Sequence, residues 1–326
     1  MNASACSKIL VLICIGLLCT TESNAQWPTD FQNLGQSYLE ISGKIYDRPG
    51  DDLGLPLIVN GITGDSLLTS GDVTDLNGGG GAEARFGSTG RRGRNWGIRT
   101  FIGTWDSEFL FDQPNLQSPL IPPVDDMGTL FSPDVIDLNY DSEIYSFEFN
   151  FRRPLTSGIT LIGGPRFIRL NELLTFTTDS VIDIAPLGLV DFESENSIET
   201  TNNLVGAQIG ALMNLPISRD IYFNGFIRTG VYGNFMRLDT SAETSLTDVT
   251  TQRIEESTSA FVAEVGGKLF VDFVPGSLSG FTGYEATWLD AVALAPVQAL
   301  TTEPTSINTR NTPFFHALTF GIQYRR

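Results

Sequence analysis

The stretch Phe261-Val262-Ala263-Glu264-Val265-Gly266-Gly267-Lys268-Leu269-Phe270-Val271-Asp272-Phe273 decides the fold class. Phe261, Ala263, Val265, Gly267, Leu269, Val271 and Phe273 share one parity; Val262, Glu264, Gly266, Lys268, Phe270 and Asp272 share the other. Successive side chains of a strand point to opposite faces, so one face is apolar throughout and the other mixes charge with apolar groups. Tyr145, Phe147, Phe149 and Phe151 oppose Ser146, Glu148, Asn150 and Arg152 in the same way. Val205 to Leu215 and His316 to Tyr324 repeat the device, and Tyr284, Ala286 and Trp288 oppose Glu285 and Thr287. Segments 37–47, 81–87 and 95–106 alternate with Gly and Thr diluting both faces.

Spacing adds more than any single strand. Short connections fall at 88–94, 154–157, 216–219 and 274–277; long ones are predicted at 48–80, 107–141, 171–200, 238–257 and 291–312. Ten strands result, with twelve as the alternative count, and both termini lie on the short-turn side. Compact soluble domains rarely carry five structureless connections of that length. Short periplasmic turns and long outer loops are the habit of outer-membrane barrels, whose strands need about 9–11 residues to cross the hydrocarbon. The expected fold is therefore an all-β, closed, antiparallel up-and-down transmembrane barrel over 37–326. A soluble sandwich or jelly roll fits less well, because its second face would be plainly polar. No fixed-period repeat supports a solenoid.

Residues 1–25 read as a signal peptide: Lys8, an apolar run from Ile9 to Cys19, and Ser23-Asn24-Ala25 before the cleavage point. Residues 26–36 form an N-terminal lead. Cys6, Cys14 and Cys19 all fall in the signal, so the mature chain holds no disulfide, thiolate nucleophile or Cys-ligated metal. The expected location is the outer membrane of a diderm bacterium.

The formal net charge is -18, which gives no electrostatic pull toward nucleic acid. The five long connections hold 25 acidic residues and only Arg48, Arg253 and Arg310 as basic ones. Negative charge is thus gathered at one rim, where it would favour cations at the mouth of a pore. Asp51-Asp52 and Asp125-Asp126 lack any calcium-loop spacing, and Gly78 to Gly81 lacks the Lys-Ser/Thr of a phosphate loop and reads as a flexible loop meeting a strand. The single histidine, His316, falls on the lipid-facing parity of the last strand without a nucleophile elbow, so no catalytic, cofactor or metal site is expected.

With the apolar parity facing lipid, the candidate lumen-lining residues are Glu148, Arg152, Arg166, Arg228, Glu264, Lys268 and Glu285, joined by Glu83, Arg85 and Arg99. Aqueous channels are typical of sixteen or more strands, whereas eight-stranded interiors fill with side chains. Ten strands point to a narrow small-solute channel with mild cation preference. The alternative is a non-conducting barrel scaffold presenting acidic loops for surface binding or envelope structure. Expected partners are outer-membrane lipid, the insertion machinery and, if open, small solutes or ions; oligomeric state is not fixed.

The run Gly283-Tyr284-Glu285-Ala286-Thr287-Trp288-Leu289-Asp290-Ala291-Val292-Ala293-Leu294-Ala295-Pro296, with GPRFIRLNE (164–172) and NNLVGAQIG (202–210), resembles a planctomycete family of outer-membrane β-barrel porins. The likeness covers about 160–326 well and the first half loosely. It implies a barrel in a diderm envelope and names no substrate. The end Gln323-Tyr324-Arg325-Arg326 departs from the terminal aromatic common in such barrels.

Overall fold

The computed structural model describes residues 36–50, 54–60, 62–89, 95–112, 116–117, 135–184, 188–245, 247–299 and 306–326. The expected signal and lead up to residue 35 lie outside the described residues, as do Asp51-Asp52 and Asp125-Asp126. Thirteen strands run β1 (Gln36–Arg48), β2 (Pro56–Asn60), β3 (Ser66–Thr69), β4 (Leu76–Thr89), β5 (Asn95–Asp112), β6 (Leu116–Gln117), β7 (Val135–Pro154), β8 (Ile159–Ile184), β9 (Gly188–Pro216), β10 (Ile221–Thr244), β11 (Thr247–Val274), β12 (Leu278–Leu289) and β13 (Phe314–Arg325). Among the described residues, two short helices, α1 (Ser70–Thr74) and α2 (Ala295–Gln298), interrupt them.

Ten strands close into an antiparallel barrel in the order β1-β13-β12-β11-β10-β9-β8-β7-β5-β4, and β4 pairs back onto β1. β3, β2 and β6 make a separate small sheet. The start of β1 meets the last residue where Ser37 N donates to Arg326 O at 2.8 Å and Arg326 N to Ser37 O at 2.9 Å. Tight turns share that end. Pro275-Gly276 joins β11 to β12, with Gly276 at φ +74°, a region glycine enters without steric cost.

The outer wall carries the alternation into space. Phe147, Phe151, Ile209, Val231, Phe261, Phe273, Leu318 and Ile322 are exposed, while Glu148, Gln208, Arg228, Glu264 and Lys268 between them are buried. On β11 the band from Phe261 to Phe273 rises about 28 Å at ~3.3 Å per residue and ~45° tilt. That matches the apolar belt of a transmembrane barrel, about 25 Å tall. Outward glycines sit under aromatic rings from neighbouring strands: a Cβ on Gly43 would stand 3.2 Å from the Phe320 ring.

Strand length departs from expectation. Of the long connections predicted at 171–200 and 238–257, most is strand: β8 and β9 stay paired up to Ile184↔Gly188, and β10 and β11 up to Thr244↔Thr247. β5 likewise runs on to Asp112, and β7 begins at Val135. Gly78 to Gly81, expected as a flexible loop, lies within β4, where a Cβ on Gly79 would overlap the Trp105 indole.

Several acidic residues expected in loops therefore stand on a tall sheet wall, together with Asp106 from the predicted strand 95–106. Asp106, Glu108, Asp141, Asp179, Glu195, Glu199 and Glu255 point outward and away from the interior of this extension. Its inward face carries a large apolar set: Ile136, Leu138, Leu170, Leu174, Phe176, Ile198 and Leu238 pack with Leu57, Ile58, Leu68, Val73, Leu116 and the segment Val292 to Ala299, beside buried Ser142, Thr178, Ser194 and Thr200. The chain thus fills the mouth of its own barrel with β2, β3, α1 and α2.

Candidate functional site: the barrel lumen

Inward side chains of every wall strand except β9 and β13 meet in one ion-pair lattice at the depth of the apolar belt. β1 supplies Glu40 and Lys44, β4 Glu83 and Arg85, β5 Arg99, β7 Glu148, β8 Arg166, β10 Arg228, β11 Glu264 and Lys268, and β12 Glu285. Lys44 Nζ reaches Glu83 and Glu285 at 2.7 Å each, and Lys268 Nζ reaches Glu40 at 2.7 Å. Arg85 Nε pairs with Glu83 at 2.5 Å and its Nη2 with Glu285 at 3.2 Å. Arg166 Nη2 donates to Glu264 at 2.7 Å, and Arg228 Nη1 to the other Glu264 oxygen at 3.1 Å. Gln208 of β9 donates to Glu148 at 2.6 Å and to Asn150 at 3.0 Å.

Arg99 holds the centre. Its Nε donates to Glu83 at 2.7 Å, its Nη2 to Glu285 at 3.1 Å and its Nη1 to Glu264 at 3.1 Å. β5 and β11 stand five places apart in the ten-strand order by either route round the barrel. The Arg99–Glu264 bond therefore spans the full width of the lumen. A void beside it, lined by Lys44, Arg99, Phe101, Glu285 and Phe315 among others, measures about 10 Å³, the room one water needs.

Above the lattice, wall side chains grip an inserted backbone. Asn202 Oδ1 accepts from Ala293 N and Asn202 Nδ2 donates to Ala293 O, both at 2.8 Å. Asn234 Nδ2 donates to Asn202 Oδ1 at 3.1 Å and to Ala291 O at 3.0 Å. Glu172 accepts from Ala295 N at 2.9 Å and from Arg48 Nη1 at 2.7 Å. These bonds satisfy peptide groups that would otherwise be buried unpaired, a cost of about 1–3 kcal/mol each. Ala291 sits at φ +57° where the segment turns into the barrel.

Of the candidate lumen residues, Glu148, Arg166, Arg228, Glu264, Lys268 and Glu285 all join the lattice, as do Glu83, Arg85 and Arg99. Arg152 stands apart at the short-turn end, donating to the Tyr38 hydroxyl. Sequence reasoning missed Glu40 and Lys44, although Leu39, Ile41 and Ile45 on the opposite parity mark them as inward. It also missed Arg48, Tyr140 and Glu172, because they fell in segments expected to be loops. Among the aromatics, Trp96, Tyr145, Trp288 and Tyr324 face outward, whereas Tyr38, Tyr46, Trp105, Tyr222 and Tyr232 face in. His316 lies on the outer wall 3.2 Å from Asp47, between the rings of Tyr284 and Phe314.

Fold and lumen together define a closed barrel with an apolar belt, filled by its own inward side chains and by two inserted segments. No protein-family model matches the sequence, and no curated protein aligns with it significantly. Among solved structures, the chain is similar to the translocator domain of autotransporter NalP from Neisseria meningitidis: 11% identity, 99% of this chain, 95% of that one, TM-score 0.40. It is also similar to a major outer membrane protein from Thermus thermophilus, at 10% identity over 89% of this chain and 99% of that one, TM-score 0.36. The attachment invasion locus protein Ail of Yersinia pestis follows at 10% identity, 90% and 99% coverage, and TM-score 0.25. At these values the likeness is one of general fold and carries no argument about activity.

Proposed function

We propose that this chain is a non-conducting outer-membrane barrel, anchored by its apolar belt, that holds up a tall acidic β-sheet wall for contacts outside the cell. The observation that carries this reading is the Arg99–Glu264 bond between diametrically opposed strands, inside a lattice whose members are nearly all buried. The seal is double, because the Val292–Ala299 insertion closes the opposite half of the barrel with apolar side chains. Export by the 1–25 signal, delivery by the outer-membrane insertion machinery and kinship with the planctomycete family belong to the same reading.

A small-solute channel is the less favoured use, and cation preference is less favoured still. Counting inward groups of the lattice, six cations face five carboxylates, so the constriction of any opened pore would be positive. The test is planar-bilayer recording from refolded 26–326, with insertion checked independently by protease protection. Silence at all salt concentrations is expected. Stable conductance steps from the unmodified chain would overturn the proposal.

A further inference from the structure

The tall part of the wall is an open sheet. Pairing of β11 with β12 ends at Val262↔Leu289 and pairing of β5 with β4 at Gly80↔Thr104, yet β11 begins at Thr247 and β5 runs on to Asp112. Beyond those pairs only β5-β7-β8-β9-β10-β11 remain side by side among the described residues, so β11 becomes an edge. Two hydrogen bonds fix which way its peptide groups point. Phe261 O accepts from Asp290 N on the β12 side at 2.8 Å, and Asp272 N donates to Asp220 O on the β10 side at 2.8 Å. Pairing with β10 runs without a bulge from Val271 to Thr250, so odd-numbered residues keep their N–H and C=O turned away from β10. Thr251, Arg253, Glu255, Ser257 and Ser259 are all exposed, and none of their peptide groups has a partner among the described residues.

Free edges are ordinarily guarded by proline, lysine, a bulge or a covering segment. The stretch 249–260 contains neither proline nor lysine, and its one cation, Arg253, is turned back onto Asp239 at 2.6 Å. Glu255 on the outward parity and half-buried Glu256 on the inward one have no hydrogen bond or salt bridge among the described residues. The charge left over at this edge is therefore negative on both faces. We infer that the 251–259 edge of β11 takes an added strand from a partner protein: an extended, antiparallel segment with two consecutive Lys or Arg residues across from Glu256 and Glu255, flanked by uncharged Ser, Thr or Val. The inference rests on the scaffold reading above and names the part of the wall that makes the contact. Main-chain bonds supply the affinity and the two carboxylates select the segment, one from each face. A formal net charge of -18 argues against a second copy of this chain as the occupant.

The test uses the refolded 26–326 barrel in detergent and a fluorescent synthetic peptide, Thr-Val-Thr-Val-Lys-Lys-Val-Thr-Val-Thr, followed by anisotropy. Saturable binding is expected. Ser257→Pro removes an N–H that faces away from β10, so it spares the β10–β11 ladder and alters no charge; it should weaken binding about tenfold, whereas Ser257→Ala binds as the parent does. The same peptide methylated on every backbone nitrogen keeps its charge and should not bind. Should the proline variant fail to fold, amide exchange on the unmodified barrel decides. The peptide should slow exchange at Arg253, Glu255 and Ser257, and leave unchanged the even-numbered amides between them, which β10 already holds. No binding, binding that survives both proline and methylation, or protection without that alternation overturns the inference. Bilayer recording remains the test of the scaffold reading, so the two can fail separately.

Discussion

Replacing Glu264 by glutamine removes one charge from the lattice and preserves its volume. Glu264 accepts from Arg99, Arg166 and Arg228 at 3.1, 2.7 and 3.1 Å. After the change Arg99 keeps Glu83 and Glu285, and Arg166 keeps Ser146 and Gln208. Arg228 retains as a charged partner Glu148, at 3.5 Å, and lies on the Phe226 ring, 4.5 Å from its centre. One buried cation is thereby stranded, and breaking a buried pair from one side costs about 3–5 kcal/mol. Glu148→Gln is the internal standard. Its arginine contacts are longer, at 3.5, 3.9 and 4.0 Å, so it should cost well under half as much. Urea unfolding in detergent micelles, followed by tryptophan fluorescence, gives both numbers. If Glu264→Gln unfolds within about 1 kcal/mol of the parent, the lattice is not carrying a desolvated charge and the reasoning fails.

Three further outcomes are expected. Asn202→Ala strips partners from both polar groups of Ala293 and should destabilise the barrel by about 2–6 kcal/mol, with new protease cleavage within 291–299 as its signature. Gly164→Ala would drive a Cβ into the carbonyl oxygen of Phe149 on the adjoining strand, so folded barrel should be absent on a heat-modifiability gel, whereas Gly233→Ala, with no atom closer than 3.6 Å, should fold. On the external wall, partial burial and then the carboxylates of Asp106 and Glu143 hold Asp141 above the usual aspartate value. The folded state then binds that proton more tightly than the unfolded one, so this contribution weakens stability as pH climbs from 3.8 through the raised value. Asp141→Asn should gain about 0.5 kcal/mol at pH 7 and almost nothing at pH 3, read from thermal unfolding; an equal gain at both would remove the electrostatic cause.

The membrane half of the barrel was legible because parity and polarity stay locked there. Along β7, Phe147 and Phe151 face out while Glu148 and Asn150 face in, and the same holds for Ile209 against Gln208 on β9. Strand count, closure and the membership of Glu148, Arg166, Arg228, Glu264, Lys268 and Glu285 in one inward set follow from that rule. Which cation meets which carboxylate does not, since pairing across the lumen depends on stagger between strands that are distant in sequence.

The half beyond the apolar belt was misread for a physical reason. Along β8, Arg166 faces in and Phe167 is exposed; further along the same parity, Leu170, Leu174 and Phe176 face in and Thr175, Thr177 and Asp179 face out. Polarity inverts while parity continues, so a search for one apolar face finds two short patterns that cancel. β10 inverts between Phe235, exposed, and Leu238, buried, and β11 between Phe261 outside and Ile254 inside. Threonine-rich stretches such as 244–251 satisfy strand propensity without contributing to either pattern.

That inversion also explains why the chain plugs itself. Within the bilayer the outer wall meets lipid, and the enclosed charges find most of their partners in one another across the lattice. Above the belt the outer wall meets water and turns acidic, so the hydrophobic effect is available there only on the inner side. A hollow cylinder would leave Leu138, Leu174, Phe176 and Leu238 facing water inside it. Segments 54–76 and 291–299 supply the missing apolar volume, and Asn202, Asn234 and Glu172 secure the peptide groups that come with it. A wall tall enough to reach well beyond the membrane therefore requires an inserted core. The core that makes the wall stable is also what fills the lumen above the belt.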